Sequence, residues 1–391
     1  MKQALIIEDD KVLGNAYRCR LLQEGFQVRL EGTGTLGLAA LRQQRPDFVI
    51  LDLVLPEVSG VDVLRFVRAE AALRDLPVIV LSNAYSSEKI NEAWQLGATE
   101  VLSKSTCTPN KVMEIIRHLT TKPPAATPAA KPTPPPPAAP ATAPEIIGSD
   151  EDFQAELRRV CLHAAPAEIE TIRRALQTVV KNPADDAVRQ ELYRRVHSIT
   201  GNSGLAGLSV INRFAGALES LLKELQDKPD RINPSVTRTL AQAVDVLAKL
   251  FAAAEQPDDP TLGTGTVLQV DDEEIARKAA VHALSKTGLK VVSVADPAAA
   301  LEQARQQAFA LIVSDIEMPV MNGLELCKKI RELPAHKKTP LVFVTTLSGF
   351  EHRAQAVLSG GNDLIGKPYL FSELSVKALS LVVNHQLTRH D

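Results

Sequence analysis

Short apolar runs alternate with amphipathic segments near both ends of the chain. The runs are Ala4–Ile7, Phe48–Leu53, Val78–Leu81 and Val101–Leu102 toward the N-terminus, and Val267–Val270, Leu311–Val313 and Leu341–Val344 toward the C-terminus. Runs of this length, separated by helical patterns, are typical of buried parallel strands joined by crossover helices. The pattern therefore predicts a doubly wound α/β domain of about 120 residues at each end.

The middle of the chain has a different pattern, with apolar side chains spaced at the helical period. One such stripe consists of Ile211, Phe214, Leu218, Leu221, Leu222 and Leu225. Almost no strand-like alternation occurs in this part of the sequence. We therefore expect an all-α helical bundle between the two α/β domains.

Proline marks the boundaries between these regions. Ten of the 25 prolines, with eight alanines, fall within the 22 residues 123–144. Such a stretch favours extended polyproline II and cannot bury a core, so it predicts a semi-rigid linker. A shorter break follows the helical region and contains Pro257, Pro260, Gly263 and Gly265. The expected organisation is an α/β domain over 1–120, a linker over 121–147, a helical domain over 148–256, a short linker over 257–265 and a second α/β domain over 266–388.

The two α/β segments are copies of each other. A single ungapped shift of 263 residues aligns the residues that carry polar or turn functions. The aligned pairs are Asp9 with Asp272, Asp52 with Asp315, Pro56 with Pro319, Gly60 with Gly323, Pro77 with Pro340, Ser82 with Thr345, Gly97 with Gly360 and Lys104 with Lys367. So many matches at one offset indicate that the chain contains one fold twice.

In each copy the polar residues lie where strands end, and these ends meet at one edge of a parallel sheet. The first copy brings Glu8, Asp9, Asp52, Ser82 and Lys104 to this edge, and the second brings Asp271, Asp272, Asp315, Thr345 and Lys367. Three carboxylates at one edge favour a divalent cation such as Mg²⁺. A carboxylate there is able to attack phosphorus, while a metal, an ammonium group and a hydroxyl stabilise the phosphoryl oxygens.

Both copies resemble response-regulator receiver domains, which have a flavodoxin-like fold. The second copy matches best, in Val270–Asp272, Ser314–Pro319, Val344–Thr345 and Gly366–Pro368. The resemblance implies that Asp52 and Asp315 accept phosphoryl groups and that Glu8, Asp9, Asp271 and Asp272 help to bind Mg²⁺. It further implies a main-chain metal ligand at Val54 or Glu317. Ser82, Lys104, Thr345 and Lys367 would contact the phosphoryl group.

Two departures from the receiver pattern stand out. The family usually has Lys-Pro with a cis bond, which Lys367-Pro368 keeps, whereas the first copy has Lys104-Ser105. A cis bond at Lys104-Ser105 would cost about 2.5–4 kcal/mol, so we expect this lysine to be held differently. Family members often place an aromatic switch residue three positions before the lysine, where this chain has Val101 and Leu364.

One histidine in the helical region resembles a known phosphoryl carrier. The sequence His197–Ser203 is similar to the motif His-x-Leu-Lys-Gly of histidine-phosphotransfer (HPt) domains, which are four-helix bundles, and the next helix is expected over Ser209–Leu225. The helix that carries His197 has an apolar stripe formed by Val188, Leu192, Val196 and Ile199. At about 100° per residue, His197 points away from the centre of this stripe and is therefore predicted to face solvent.

The neighbours of His197 modify this expectation. Gly201, one turn later, leaves room for a protein to approach the imidazole, and Arg194, one turn earlier, is placed to attract a phosphoryl group. Thr200 replaces the lysine of the motif, so Arg194 or Arg195 is expected to take over its role. The resemblance implies that His197 is a phospho-acceptor.

Composition narrows the function further. The chain has 44 basic and 47 acidic residues, a net charge of −3, and only 4% aromatic residues, which argues against direct nucleic-acid binding. Isolated cysteines, together with the lack of a signal peptide or long apolar run, predict a cytoplasmic protein that does not bind a membrane. The segment Gly32–Gly37 matches GxGxxG, but it follows the second strand and has no glycines in the other copy. We interpret it as a loop that starts a helix rather than a nucleotide site.

The favoured interpretation is a bacterial two-component phosphorelay protein with the order receiver, HPt, receiver. Its partners would be a sensor histidine kinase and other receiver or HPt proteins. No kinase or output catalytic segment is recognisable, so the chain is expected to perform only Mg²⁺-dependent phosphotransfer and self-dephosphorylation. The alternative is a phosphorylation-controlled scaffold with a degenerate first receiver and a silent His197. A third hypothesis is a nucleotide-dependent enzyme that uses the GxGxxG segment.

Overall fold

The structure, a computed structural model, describes residues 2–82, 87–104, 109–121, 150–254, 259, 261–346 and 350–390. Apart from Thr121, the proline-rich linker expected over 121–147 lies outside these residues, as do Pro257, Asp258 and Pro260 of the second expected linker. The chain divides into two compact units. The first comprises Met1–His163 and Gly201–Gly207, and the second comprises Ala164–Thr200 and Leu208–Asp391.

The first unit contains a parallel five-stranded sheet with the order β2-β1-β3-β4-β5. Its strands are β1 (Gln3–Ile7), β2 (Gln27–Glu31), β3 (Phe48–Asp52), β4 (Val78–Ser82) and β5 (Glu100–Ser103). The accompanying helices are α1 (Lys11–Gln23), α2 (Gly34–Gln43), α3 (Gly60–Ala69), α4 (Ser87–Gln95) and α5 (Pro109–Thr121). Every residue of β3 and β4 is buried, as expected for central strands covered on both faces.

The second unit contains a sheet of the same topology, with the order β10-β9-β8-β6-β7. Its strands are β6 (Thr266–Val270), β7 (Lys290–Val294), β8 (Leu311–Ser314), β9 (Leu341–Thr345) and β10 (Asp363–Gly366). Its helices are α10 (Glu274–Ser285), α11 (Pro297–Gln306), α12 (Gly323–Glu332), α13 (Phe350–Leu358) and α14 (Phe371–His390). The seven strands predicted from apolar runs are confirmed, each within one residue at either end.

Along the chain, four long helices follow the first α/β region and precede the second, which confirms the expected all-α region. They are α6 (Asp150–Lys181), α7 (Asp186–Leu205), α8 (Ser209–Asp227) and α9 (Pro234–Ala253). The helix predicted over Ser209–Leu225 continues for two more residues. Within the second unit the bundle core is apolar and includes the fully buried Ile172, Val196, Leu221 and Leu247.

Close packing explains the GxGxxG segment without a nucleotide. Thr33 caps α2, since its hydroxyl accepts a hydrogen bond from the Leu36 amide at 3.2 Å. A Cβ at Gly34 would lie 2.0 Å from the Val58 carbonyl oxygen, and one at Gly37 would lie 2.5 Å from Ile7 Cδ1. These glycines allow α2 to approach a neighbouring loop and strand, which agrees with the prediction of a loop that starts a helix.

Helix α14 of the second unit is packed between other helices. It contacts α10 on the α/β side and both α8 and α9 of the bundle. The ammonium group of Lys377 is fully buried here and pairs with Asp363 at the start of β10. Across the described part of the chain, no helix is long and apolar enough to cross a membrane.

Candidate functional site

The first acidic pocket lies at the carboxyl edge of the N-terminal sheet. Glu8 and Asp9 follow β1, Asp52 ends β3, and these three side chains offer ligand oxygens within 4.8 Å of one another. The ammonium group of Lys104 follows β5 and bridges two of them, 2.9 Å from the Glu8 carboxylate and 2.8 Å from Asp52 Oδ2. Ser82 ends β4 and is buried beside them in the sheet, where its carbonyl accepts the Lys104 amide at 2.8 Å. The structure therefore brings these five predicted residues to one sheet edge.

The second acidic pocket repeats this arrangement at the carboxyl edge of the C-terminal sheet. Asp271, Asp272 and Asp315 offer oxygens within 4.8 Å of one another. The Lys367 ammonium group lies 2.9 Å from Asp271 Oδ2 and 2.6 Å from Asp315 Oδ2. Thr345 is buried at the end of β9 and its carbonyl accepts the Lys367 amide at 2.7 Å. The two pockets thus share one lysine-and-carboxylate geometry.

The loops after β3 and β8 hold the central aspartates by backbone contacts. One oxygen of Asp52 accepts a hydrogen bond from the Val54 amide at 3.2 Å, and Asp315 accepts one from Glu317 at 3.1 Å. These are the two residues whose carbonyls were predicted as metal ligands. Gly60 and Gly323 allow the loops to fold back tightly, because a Cβ there would lie about 2 Å from the carbonyl oxygen of the aspartate.

Electrostatics of the first pocket favour a bound cation. Burial raises the pKa of Glu8 well above its usual value, and the Asp52 carboxylate raises it further against the opposing effect of Lys104. Burial alone would lower the pKa of Lys104, but Asp52 and Glu8 outweigh it and the pKa is raised. The pocket therefore holds three carboxylates and one ammonium group. Because the site is buried, the excess negative charge is unfavourable there without a further cation.

The second pocket has the same charge balance. Burial raises the pKa of Asp315, although the Lys367 ammonium group acts in the opposite direction. Lys367 has a raised pKa because Asp315 and Asp271 outweigh the effect of its burial. The oxygen-only donor set and the net negative charge of each pocket fit a hard divalent cation.

The departures noted in the sequence lie beside these pockets. Lys367-Pro368 is a cis peptide bond, as expected. Ser105, on which the expectation of a differently held lysine depends, lies outside the described residues. The ammonium group of Lys104 binds its two carboxylates as that of Lys367 does. At the usual aromatic position, Val101 is half-buried and Leu364 is fully buried.

The prediction that His197 faces solvent is wrong, since the residue is only 4% exposed. Helix α7 buries a second stripe beside the predicted one, formed by Tyr193, His197 and Thr200 at i, i+4 and i+7. The Tyr193 and His197 rings stack with centroids 5.7 Å apart. His197 Nδ1 lies 2.7 Å from Glu219 Oε1 on α8, so the imidazole is held by a buried carboxylate.

The other predicted neighbours of His197 have their own contacts. Arg194 pairs with Glu191 at 2.7 Å, and Arg195 pairs with both Glu191 and Glu168. The Thr200 hydroxyl donates to the Val196 carbonyl one turn back at 3.1 Å, and Gly201 is buried. The two arginines predicted to replace the missing lysine therefore already form ion pairs on the bundle.

Glu219 and Tyr193 were not identified as site residues from the sequence. A signal for Glu219 existed, because it is a charged residue directly beside the apolar stripe Leu218, Leu221 and Leu222 of α8. A carboxylate in that position is buried only when a polar partner meets it. Tyr193 is four residues before His197, which is the spacing of stacked neighbours on a helix.

Comparison with known proteins identifies the families of the three segments. The model of the response regulator receiver domain matches residues 4–117 and 267–378, and the Hpt domain model matches residues 156–256. The DNA-binding response regulator MtrA of Mycolicibacterium paratuberculosis is 31% identical over 121 residues, 31% of this chain and 51% of the relative. The probable transcriptional regulatory protein TcrX of Mycobacterium tuberculosis is 33% identical over 115 residues, 29% of this chain and 47% of the relative.

Among solved structures, the chemotaxis protein CheY4 of Vibrio cholerae has 33% identity and a TM-score of 0.28, covering 28% of this chain and 92% of that one. The chain spans about half the length of the curated relatives it matches. The two receiver matches together include more than half of its residues. The chain therefore belongs to the response regulator receiver family, as a two-component protein in which two receiver domains flank an Hpt domain.

Proposed function

We propose that this protein is a phosphorelay component in which Asp52, Asp315 and His197 each carry a phosphoryl group. The observation that supports this most directly is the repeated pocket. In both receivers one lysine ammonium group lies within 2.9 Å of the central aspartate and of a second carboxylate. The Hpt domain between them supplies a histidine oriented by a carboxylate.

The aspartate step is a phosphoryl transfer. A carboxylate oxygen of Asp52 or Asp315 attacks phosphorus, and the bond from phosphorus to the donor breaks with its electron pair going to the donor. If the donor is phosphohistidine, the electron pair of the broken phosphorus–nitrogen bond returns to Nε2, and the imidazole is released neutral with its proton still on Nδ1. Lys104 or Lys367 neutralises charge on the phosphoryl oxygens, and the buried hydroxyl of Ser82 or Thr345 lies at the adjacent strand end.

The divalent cation expected in each pocket is Mg²⁺. Glu8, Asp9, Asp52 and the Val54 carbonyl would hold it in the first receiver, and the corresponding ligands in the second are Asp271, Asp272, Asp315 and the Glu317 carbonyl. When bound, Mg²⁺ supplies positive charge to the transferring phosphoryl group. The lysine and the backbone amides of Val54 and Glu317 hold the aspartate carboxylates in place.

His197 accepts or donates the phosphoryl group through Nε2. Since a carboxylate accepts hydrogen bonds, the 2.7 Å contact with Glu219 supports the tautomer that carries its proton on Nδ1, and in that tautomer Nε2 is the nucleophilic nitrogen. Glu219 also stabilises the positive charge that the ring gains when Nε2 bonds to phosphorus. The partners of the relay would be a sensor histidine kinase and other receiver or Hpt proteins, with output through protein contacts.

The burial of His197 supports a second candidate function. A histidine that is 4% exposed and has Thr200 in place of the lysine of the motif is compatible with a phosphorylation-controlled scaffold in which His197 is silent. In that case the receivers would be phosphorylated and bind partners, but the histidine would carry no phosphoryl group.

Phosphorylation of the full chain by acetyl phosphate separates the two candidates. The parent, Asp52→Asn, Asp315→Asn and His197→Gln chains are incubated with labelled acetyl phosphate and Mg²⁺, and the label is tested for stability in acid and in alkali. The relay predicts alkali-labile acyl phosphate on both aspartates and alkali-stable label that disappears in His197→Gln. Alkali-labile label alone, even after other phosphorylated receivers are added, would establish the scaffold.

A further inference from the structure

The turn between β6 and α10 carries two of the three acidic residues of the second pocket. Asp271 and Asp272 follow β6, and α10 begins at Glu274. We call residues 271–273 the acidic turn. Asp271 is buried and Asp272 is exposed, so the two carboxylates have different surroundings although they are adjacent in the chain. The relative position of the two carboxylates therefore depends on the contacts that hold this turn.

One side chain of α10 holds the acidic turn through its carbonyl groups. Arg277, near the start of the helix, donates through Nη1 to the Asp271 carbonyl at 2.9 Å and to the Asp272 carbonyl at 3.2 Å. A charged donor makes a stronger hydrogen bond than a neutral one. The Arg277 amide also donates to the Glu273 carbonyl at 2.9 Å, so the same residue ties the turn to the helix by its main chain.

The other contacts of the turn involve its own residues or the pocket lysine. The Glu273 amide donates to Asp271 Oδ1 at 2.9 Å, while Oδ2 of the same carboxylate contacts the Lys367 ammonium group. Glu273 is the N-cap residue of α10, and its side chain makes no capping hydrogen bond. Arg277 therefore acts on the acidic turn from outside the pocket and without contacting a carboxylate of the cation site in the bonds described for it.

The first receiver holds the corresponding turn in another way. At the offset of 263 residues, Glu273 corresponds to Asp10 and Arg277 corresponds to Gly14. Asp10 caps α1 by accepting hydrogen bonds from two amides of its first turn. Gly14 has no side chain with which to bind the turn. The second receiver thus has an arginine that binds the turn where the first has a capping aspartate.

We propose that Arg277 is a positioning residue for the Mg²⁺ site of the second receiver and acts through the carbonyl groups of Asp271 and Asp272. The inference rests on the proposed function, in which Mg²⁺ in this pocket supports phosphorylation of Asp315. Because Arg277 already holds the turn, less conformational entropy is lost when the two carboxylates bind the cation. Loss of Arg277 should therefore weaken Mg²⁺ binding although every side chain that contacts the cation is retained.

The charge of Arg277 acts in the opposite direction, since a guanidinium group repels a nearby cation. Lys278 provides a control for this effect. Its side chain is 77% exposed and its ammonium group pairs with Glu274 at 2.6 Å. Lys278→Met removes the same charge from the same helix and leaves the hydrogen bonds of Arg277 in place. Because exposed charges are screened by solvent, this variant should bind Mg²⁺ within about twofold of the parent.

The first test measures Mg²⁺ binding by amide hydrogen exchange of the full chain. Protection of peptides from residues 270–277 is followed as Mg²⁺ is added, and peptides from residues 7–14 of the first receiver are the internal control. In Arg277→Met, the Mg²⁺ concentration at half-maximal protection should rise about tenfold at the second receiver and stay unchanged at the first. Arg277→Lys keeps a charged nitrogen with several donors and should recover most of the affinity of the parent.

The second test separates positioning from a general structural role. Initial rates of Asp315 phosphorylation by acetyl phosphate are measured against Mg²⁺ concentration. In Arg277→Met, the concentration at half-maximal rate should rise about tenfold, while the rate at saturating Mg²⁺ should stay within about twofold of the parent. Protection of β8 peptides equal to that of the parent shows that the receiver is folded.

The possible results distinguish this inference from the proposed function. Equal Mg²⁺ dependence in the parent and in Arg277→Met would overturn the inference. An equal loss of affinity in Lys278→Met and Arg277→Met would also overturn it, because the effect would then not depend on the bonds to the turn. If neither Asp315 nor His197 takes up a phosphoryl group while the Mg²⁺ midpoint still shifts in Arg277→Met, the proposed function fails and the role of Arg277 at the cation site stands.

Discussion

The two receivers have the same pocket geometry but differ in access to it. In the first receiver the side chains of Glu8, Asp52 and Lys104 are at most 4% exposed. In the second, Lys367 is 15% and Asp315 is 9% exposed at the side chain. The distances from lysine to carboxylate are nearly equal in both. The comparison shows that two pockets with the same charge arrangement at their strand ends differ in the solvent exposure of the lysine and the central aspartate.

A second difference lies at the last strand and helix. Asp363 and Lys377 of the second receiver correspond, at the 263-residue offset, to Glu100 and Glu114 of the first. Lys377 is fully buried against its aspartate, whereas Glu114 is exposed on α5. In the second receiver, where α14 is packed between other helices, these two positions form an ion pair. In the first receiver, where α5 has an exposed side, both positions are glutamates. We expect the two receivers to respond differently to loss of charge at this position.

The largest effect is expected for Lys377→Met. The change leaves Asp363 buried without its closest cation and should lower the free energy of local unfolding of α14 by about 3–5 kcal/mol. The matched control is Glu114→Met, which alters an exposed residue and should stay within about 0.5 kcal/mol. Amide hydrogen exchange of the full chain, read for peptides from α14 and α5, measures both.

Pairing rather than packing is tested by the double variant Lys377→Met/Asp363→Leu. Replacing both charges by apolar groups removes the uncompensated carboxylate, so protection of α14 should recover most of the way toward the parent. Protection in Lys377→Met within about 1 kcal/mol of the parent would contradict the expectation that the buried carboxylate of Asp363 needs this cation.

The next effect concerns the pocket lysines. Lys104→Ala and Lys367→Ala should each slow phosphorylation of their own receiver by about 100-fold, because each removes a preorganised cation from the phosphoryl site. The companion receiver in the same chain serves as the internal control. Initial rates of acyl phosphate formation at Asp52 and Asp315, separated by peptide mapping, measure the effect. Unequal losses at the two sites would show that the common geometry hides a functional difference.

A pH experiment sharpens the contrast at α14. Burial alone would raise the pKa of Asp363, but Lys377 and Arg238 outweigh it and the pKa is lowered from 3.8. A lowered carboxyl pKa gives stability that is present above the unfolded-state value and is lost as the pH falls through the folded-state value. Glu373, the other acid facing this cluster, has a pKa raised by burial and contributes with the opposite sign. Gln242 also faces Lys377 and does not titrate.

The expected result is a difference that disappears in acid. At neutral pH, α14 of Asp363→Asn should exchange faster than that of the parent, and the two should converge as the pH falls below about 3.8. Hydrogen exchange of α14 in the parent and in Asp363→Asn, corrected at each pH for the intrinsic exchange rate, measures this convergence. A difference that persists unchanged at the lowest pH would show that the hydrogen-bond geometry of Asp363, rather than its charge, stabilises α14.

Sequence patterns predicted the features that occur twice in the chain or repeat periodically, and missed individual contacts that occur once. The strands, both pockets and the helical region follow from apolar periodicity and from one offset that aligns Asp52 with Asp315 and Lys104 with Lys367. The burial of His197 did not follow, because a helix packed on two sides has a second stripe whose polar members look exposed by periodicity. The contact of Asn202 with Asp10 joins residues 192 positions apart and leaves no local pattern.

The smallest expected effect compares the first helices of the two receivers. Asp10 caps α1, since its Oδ1 accepts hydrogen bonds from the Val12 and Leu13 amides at 2.8 and 3.1 Å. The equivalent residue at α10 is Glu273, whose side chain makes no capping bond. Asp10→Ala should therefore destabilise the start of α1 by about 1 kcal/mol, and Glu273→Ala should leave α10 nearly unchanged.

Exchange of the first-turn amides of α1 and α10 measures this last prediction, with Asp10→Ser as the informative control. Serine keeps a capping oxygen but removes the carboxylate that accepts the Asn202 hydrogen bond. Protection of α1 should therefore be retained in Asp10→Ser and reduced in Asp10→Ala. Loss of protection in Asp10→Ser as well would mean that the carboxylate itself, rather than a capping oxygen in general, holds the start of α1.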